Sequence, residues 1–186
     1  DGTNWTSGGA LNNVMRSNGS AGTQTAGLSF GGRGDPAPSA YLSNTEEYDG
    51  TSWTNSNSMS VARTAGARAG TQTSAMFSGG DAAPSDTKKD SVEQYDGTSW
   101  TTATAMPIAT TIGGGDGASN TASVVFGGGT PAANRVKTTL EFTQSINTIT
   151  AAAWASGGNL NTARGAAGGA GSTQNASLMY GGGGGG

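Results

Sequence analysis

No cysteine and no histidine occur in these 186 residues. The missing thiol removes disulfide staples and thiolate nucleophiles, and it leaves the redox compartment open. The missing imidazole removes the commonest general base near neutral pH. Together the two gaps exclude most zinc, copper and iron ligand sets. Large apolar side chains are scarce: Leu, Ile, Val and Phe total 20 residues, well below the roughly 20% of a chain under which disorder becomes a live reading. Charge is sparse too, with 9 basic and 12 acidic residues for a net −3. That balance carries no basic footprint for nucleic acid and no polybasic patch for a membrane surface. No apolar run approaches the ~18 residues of a membrane helix. The opening Asp1-Gly-Thr-Asn-Trp5 reads as the interior of a repeat rather than as a secretory leader.

What the chain does hold is rhythm. Trp5, Trp53, Trp100 and Trp154 stand 48, 47 and 54 residues apart. A glycine pair follows each by 26 or 27 residues: Gly31-Gly32, Gly79-Gly80, Gly127-Gly128 and Gly181-Gly182. A disordered Gly/Ser/Thr/Asn chain has no reason to keep indoles and glycine pairs in phase. The sequence therefore reads as one supersecondary unit written about four times, approximately 1–48, 49–95, 96–142 and 143–186, within a single domain 1–186.

Each unit breaks into four short segments. The one before the glycine pair alternates as a strand does. Its columns are Ala26, Ser74, Ala122 and Ala176; Leu28, Met76, Val124 and Leu178; and Phe30, Ser78, Phe126 and Tyr180. Alternation predicts that these columns share one face. The glycine pair then lets the chain turn or lets a neighbouring backbone approach. The next strand ends in Tyr48, Tyr95 or Phe142. Asp49-Gly50 and Asp96-Gly97 predict a tight type I′ hairpin into Trp53 and Trp100. Tyr48 with Trp53, and Tyr95 with Trp100, should then pack side by side. Arg16, Arg63 and Arg164 recur in register, and between-unit hydrogen bonding is their expected role. A strand of almost only small residues follows each, suited to the crowded place where units meet. Gly-Thr-Gln-Thr at 22–25 and 70–73 reads as the turn into the apolar strand.

Four strands to a unit of this length resemble a propeller blade. The motifs resemble the kelch repeat: Gly79-Gly80, Tyr95, Trp100 and Met106-Pro107; Gly31-Gly32, Tyr48, Trp53 and Met59-Ser-Val-Ala-Arg63; and Leu160-Asn-Thr-Ala-Arg164. The resemblance implies an all-β, kelch-like β-propeller with about four blades of four antiparallel strands in this chain. The last blade is incomplete, so it is either closed by strands from both chain ends or part of a larger ring or oligomer. Two departures stand out. Thr110 and Thr111 replace the expected Arg, and Phe142 to Trp154 spans 12 residues where five are usual, which predicts a longer loop.

No residue set points to catalysis. Enzymes of the galactose-oxidase type share the blade pattern, but their copper centre needs the histidine and cysteine absent here. Glu46-Glu47, Glu93 and Glu141 lie in equivalent strands; alternation puts Glu46 and Glu47 on opposite faces, so they read as solvated or edge carboxylates. The glycine runs lack the Gly-x-x-x-x-Gly-Lys-Ser/Thr of a phosphate loop, and Gly113-Gly114-Gly115 falls at an inner-strand position. The chain is expected to be no enzyme and to use no cofactor or metal. Arg33-Gly34-Asp35 spells an integrin-type tripeptide, and Asn4, Asn18 and Asn175 open glycosylation sequons; both match by chance in such a composition. The candidate interaction residues lie in the variable stretches after the glycine pairs, 33–44, 81–91 and 129–138. They are Arg33, Asp35, Tyr41, Lys88, Lys89, Arg135 and Lys137.

Runs such as YDGTSWT, GTQTA and NLNTAR resemble kelch-like repeats in virion proteins of marine bacteriophages. The resemblance implies a non-enzymatic structural or recognition protein of a virion (fibre, tail or capsid-associated) or of a cell surface. Its partners would be other virion or surface proteins in a multimeric assembly, without nucleic acid or membrane insertion. The alternative is a glycan-binding propeller or adhesin of a bacterial surface or extracellular filament, for which Tyr41 is the one loop aromatic. An intracellular kelch adaptor would call for an extra domain and more charge. Each unit carries few large side chains at about 1.5–3 kcal/mol apiece, which barely offsets the ordering of roughly 47 residues. An isolated unit is therefore expected to show no cooperative thermal transition by circular dichroism, whereas the whole chain melts sharply.

Overall fold

The computed structural model describes residues 3–35 and 40–144 and, beyond them, the strand residues 164–165, 168–171, 177–180 and 183–184. Among the described residues there is no helix; the chain is built of antiparallel sheets. Its contacts divide it into two compact units, Asp1–Ile146 and Asn147–Gly186.

The first unit contains β1 (Met15–Arg16), β2 (Gly19–Thr23), β3 (Ala26–Phe30), β4 (Arg33–Gly34), β5 (Thr45–Tyr48), β6 (Trp53–Ser56), β7 (Arg63–Thr64) and β8 (Ala67–Thr71). It continues through β9 (Ser74–Ser78), β10 (Asp81–Ala82), β11 (Thr87–Lys88), β12 (Val92–Tyr95), β13 (Trp100–Ala103), β14 (Gly114–Ser119), β15 (Ala122–Phe126) and β16 (Thr139–Thr143). Three main sheets result: β2-β3-β5-β6, β8-β9-β12-β13 and β14-β15-β16. In the second unit β17 (Arg164–Gly165) pairs with β20 (Gly183–Gly184), and β18 (Gly168–Gly171) with β19 (Ser177–Tyr180). One register recurs throughout. Gly19 opposes Phe30, Ala67 opposes Ser78, Gly114 opposes Phe126 and Gly168 opposes Tyr180. Trp154, Gly181 and Gly182 lie outside the described residues.

The small-residue strands β2, β8 and β14 form one edge of each main sheet and pack on each other in that order. Their composition follows from this approach. A Cβ on Gly115 would lie 2.7 Å from the backbone nitrogen of Arg68 and 2.8 Å from its carbonyl oxygen. The glycine pairs serve both purposes expected of them. Gly31 and Gly32 take φ of 62° and 102°, a left-handed backbone repeated at Gly79-Gly80 and Gly127-Gly128. A Cβ on Gly32, Gly80 or Gly128 would come within 2.8, 2.4 or 2.5 Å of a carbonyl oxygen. The pairs also tie each sheet to the next: Gly32 N donates to Arg63 O at 2.8 Å, and Gly80 N to Thr110 O at 2.7 Å.

The core lies between the first and second sheets. Phe30 meets Phe77 edge-on at 5.2 Å and Trp100 at 4.9 Å between ring centroids. Tyr48 packs on Trp53 at 5.0 Å and Tyr95 on Trp100 at 5.1 Å, as the hairpin pairing requires. The Trp100 indole N–H donates to Thr45 Oγ1 at 2.9 Å. The buried Tyr95 hydroxyl donates to Glu47 and sits 2.6 Å from Ser56 Oγ. Turn amides add a second seam: Gln72 Nε2 donates to the carbonyls of Gly27 and Tyr48, and Asn120 Nδ2 to that of Tyr95.

Three sequence expectations are modified. Leu28 and Phe30 share one face of their strand, as alternation predicts, and meet Ala75 and Phe77 of the second sheet in the core. The opposite face is buried as well, Ser29 against Met15 and Asn18 in the first sheet and Met76 against Ser123 of the third sheet. Phe126 of the third sheet, by contrast, is 46% exposed. The Asp-Gly hairpins are four-residue loops rather than type I′ turns. Gly50 and Gly97 have positive φ, but Asp49 and Asp96 do not. Each Asp works through its carboxylate, accepting two backbone N–H groups (Thr51 and Ser52; Thr98 and Ser99) at 2.7–2.8 Å. Those bonds hold both carboxyls below their usual range.

The third change concerns Arg16. Pairing sets Arg16 opposite Arg33 but Thr64 opposite Asp81, so Arg16 is one residue out of step and Met15 occupies the position of Arg63. Arg16 is exposed, whereas Arg63 is fully buried. At Arg63 only the backbone bonds between units, its N–H donating to Leu42 O at 3.1 Å and its carbonyl accepting from Gly32 N at 2.8 Å. The guanidinium, contrary to expectation, donates within its own unit, to the carbonyls of Phe77, Gly79 and Ser91 and to Glu93 at 3.2 Å. Burial pulls Arg63 down to about 10, opposed by the charge of Glu93. Glu93 also accepts Ser60 N and Ser60 Oγ at 2.8 and 2.9 Å.

The same location is filled differently in each sheet. In the first, buried Glu46 lacks an arginine and instead accepts four bonds, from the backbone and side-chain amides of Asn12 and Asn13. In the third, the residues aligned with Arg63, Glu93 and Ser60 are Thr110, Leu140 and Pro107. Pro107 has no N–H to offer a carboxylate, and Leu140 asks for none.

Removing one partner of a buried ion pair strands the other. Arg63→Met is expected to cost about 3–5 kcal/mol in urea unfolding, and Arg63→Thr with Glu93→Leu to recover most of that loss. A second outcome concerns alkaline pH. Burial, then the bond to Glu47, pushes Tyr95 up to about 12. A tyrosine in the unfolded chain ionises near 10. The native state thus holds the proton more tightly, and stability falls as pH rises from about 10 to about 12. In Tyr95→Phe this alkaline decline in the urea midpoint should flatten.

Candidate functional site

Two places gather chemistry-bearing side chains, at opposite ends of the first sheet. One is the loop end beyond the glycine pairs. β4 folds back on β1, and Leu42 N donates to Gly32 O at 2.9 Å, which closes the 33–44 loop. Arg33 lies over the Tyr41 ring, its guanidinium carbon 4.6 Å from the centroid, and Nη2 donates to the Tyr41 hydroxyl at 2.9 Å. Both residues contact Asp86, at the tip of the next loop. That tip is turned by left-handed Ser85 and Asp86. The loops of adjacent sheets are thus braced against each other, and Arg33 of the Arg33-Gly34-Asp35 run is engaged within the protein rather than simply displayed.

The other expected loop residues do not join this cluster. Asp35 is exposed at the margin of the described residues. Lys88 pairs opposite Asp81 in the β10–β11 ladder, and Lys89 is held through its backbone to Gly80 and Thr110. Arg135 is exposed beside a hollow of about 850 Å³ that also touches Ile112 and Val136, and Lys137 is exposed. Asp86 was missed by the sequence reading. Its signal was available in the turn residues Pro84-Ser85-Asp86, but nothing in the sequence ties it to Arg33 and Tyr41.

The second place lies at the hairpin-turn end. The β2–β3 turn meets the β5–β6 turn there, with Gly50 against Thr25. The segment 3–9 passes alongside, Gly8 against the Tyr48 hydroxyl. A hollow of about 730 Å³ is lined by Asn4, Trp5, Gln24 and Tyr48. A second, of about 590 Å³, shares Gln24 and Tyr48 and continues to Trp53, Arg68 and Asp116 on the small-residue strands. Both fall within the usual size of ligand sites, roughly 300–1,000 Å³. Trp5, placed by the sequence among the structural repeat positions, stands outside any strand and is fully exposed. Tyr95 of the second sheet is sealed by the first sheet, but its counterpart Tyr48 is only half-buried. The cleft therefore offers aromatic faces, side-chain amides, one cation and one anion.

Among the described residues no group of acidic side chains is placed to hold a metal ion. Glu46 and Glu93 are consumed by structural bonds. No helix among the described residues is long and apolar enough to cross a membrane.

No family model matches the sequence, and no curated protein sequence matches it. Solved structures do resemble the fold. One is YjhT, similar over 74% of this chain and 45% of that chain, with a TM-score of 0.63 and 13% identity. The chain thus spans less than half the length of that protein. At such identity the likeness is one of fold, and it places this chain among all-β proteins of stacked antiparallel sheets.

Proposed function

We propose that the chain is a kelch-like β-propeller module, its main sheets forming blades, that serves as a non-enzymatic recognition or structural component of a virion surface. Ordered packing of β2, β8 and β14 supports the propeller reading, since blades meet through their inner strands. The bracing of Arg33, Tyr41 and Asp86 carries the recognition reading. It holds loops from neighbouring sheets as one surface on a rigid scaffold, the usual setting for binding residues. The partners are other virion or surface proteins in a multimeric assembly. The placement on a virion rests on the likeness of the repeat runs to those of marine bacteriophage proteins. Mass spectrometry of purified virions should find this chain, and negative-stain images of the purified protein should show ring-like particles. Virions without the chain would sink the first assignment, and elongated stacks the second.

A further inference from the structure

We propose that the Arg33–Tyr41 pair receives a carboxylate from an acidic peptide segment of a partner, and that Asp86 holds the place until the partner displaces it. The inference rests on the loop-end recognition reading and names the partner's chemistry and the latch on the site.

The arrangement is that of an oxyanion site. Arg33 Nη2 and the Tyr41 hydroxyl, from one loop, both donate to Oδ1 of Asp86, from another. The two donors are held for this by their own contacts. Nη2 also donates to the Tyr41 hydroxyl oxygen at 2.9 Å, and the guanidinium lies over the ring. A guanidinium and a phenol converging on one point suit a carboxylate. Strand pairing also sets Arg16 directly opposite Arg33. Like charges facing across a ladder repel, and an anion at Arg33 relieves the repulsion.

The occupant now in place is exchangeable. The Asp86 side chain is 60% exposed, and an ion pair so open to water contributes little. Its loop reaches the site through left-handed Ser85 and Asp86, at φ 56° and 54°, a backbone that non-glycine residues seldom adopt. Release therefore costs little and relaxes the tip. The two loops belong to adjacent sheets that pack on each other, so this exposure is not that of an uncovered sheet face. The group displaced is an aspartate on a turn, which favours a peptide over an acidic sugar. Charge guides such a partner to this end. Lys88, Lys89, Arg135 and Lys137 gather there, against Asp35, Asp81 and Asp90, whereas the Asp-Gly hairpin turns carry Asp49 and Asp96 and no cation.

The test titrates the whole chain with fluorescein-labelled hexaglutamate, read by fluorescence anisotropy, beside hexaglutamine and a sialic acid oligomer. Hexaglutamate is expected to bind, less tightly as salt rises, and hexaglutamine is not. Arg33→Ala should weaken binding by about tenfold or more, the scale of about 1.4 kcal/mol. Tyr41→Phe, which removes one donor and keeps the ring, should weaken it less. Arg135→Ala takes away an equal charge outside the site, and its loss should be smaller than that of Arg33→Ala. Asp86→Asn should strengthen binding by about two- to fivefold, and by more than Asp90→Asn, which removes an equal charge nearby. Circular dichroism of each variant checks that the fold is kept. Hexaglutamate silent on both the native chain and Asp86→Asn overturns the carboxylate site, and the recognition reading then stands or falls by the virion test. Equal losses in Arg33→Ala and Arg135→Ala, or equal gains in Asp86→Asn and Asp90→Asn, reduce the effect to diffuse attraction and overturn it too. Binding of the sialic acid oligomer alone overturns the peptide class.

Discussion

The close approach of β2, β8 and β14 is the constraint from which the rest follows. Gly115 lies against the Arg68 backbone with no room for a side chain between them. Once these strands meet, the sheets must stack, and stacking covers the apolar strand of the second sheet on both faces. A chain with few aliphatics can then build a core from Leu28, Phe30, Met76, Phe77 and Tyr95. Phe30, Phe77, Tyr95 and Trp100 each touch or bond across two sheets. The scarcity of Leu, Ile and Val is compensated by geometry rather than by additional residues.

Repetition of backbone does not bring repetition of chemistry. One buried location is filled by a carboxylate with four amide donors, by an arginine–glutamate pair, and by the uncharged Thr110, Leu140 and Pro107. What each solution shares is a satisfied acceptor: the buried carboxylate comes with its donors or is absent with them, while Arg63 Nε is left without a partner. Function draws on the same freedom. The recognition surface proposed for this chain lies at the loop end, where the stretches after the glycine pairs differ from repeat to repeat and Asp86 of one loop meets Arg33 and Tyr41 of another.

Much of the framework was legible in the sequence. The phase of tryptophan and glycine pairs marked the strands, the Tyr–Trp contacts and the crowded edge, because each depends on local spacing and on side-chain size. The turn type was not legible: Asp49 and Asp96 act through their carboxylates, and a dipeptide does not reveal which side-chain bonds will form. The displacement of Arg16 was written in the spacing, since it stands 11 residues after Trp5 where Arg63 and Arg164 stand 10 after Trp53 and Trp154, but a motif recognised by its closing Arg passes over it. The loop candidates divided in the same way. Arg33 and Tyr41 were visible as charged and aromatic residues of one loop, but Asp86 comes from another.

The sequence by itself determined that the chain is all-β, which segments carry the main strands, and that the glycine pairs turn the chain at close quarters. These are consequences of period, φ and steric size, which act over a few residues. Only the tertiary structure decided that Arg63 is buried between sheets while Arg16 is exposed. It alone set Tyr48 beside an open cleft and Tyr95 in a closed core. Those outcomes depend on which surface a neighbouring sheet covers, and that is a property of residues some 30 to 55 positions away in the chain.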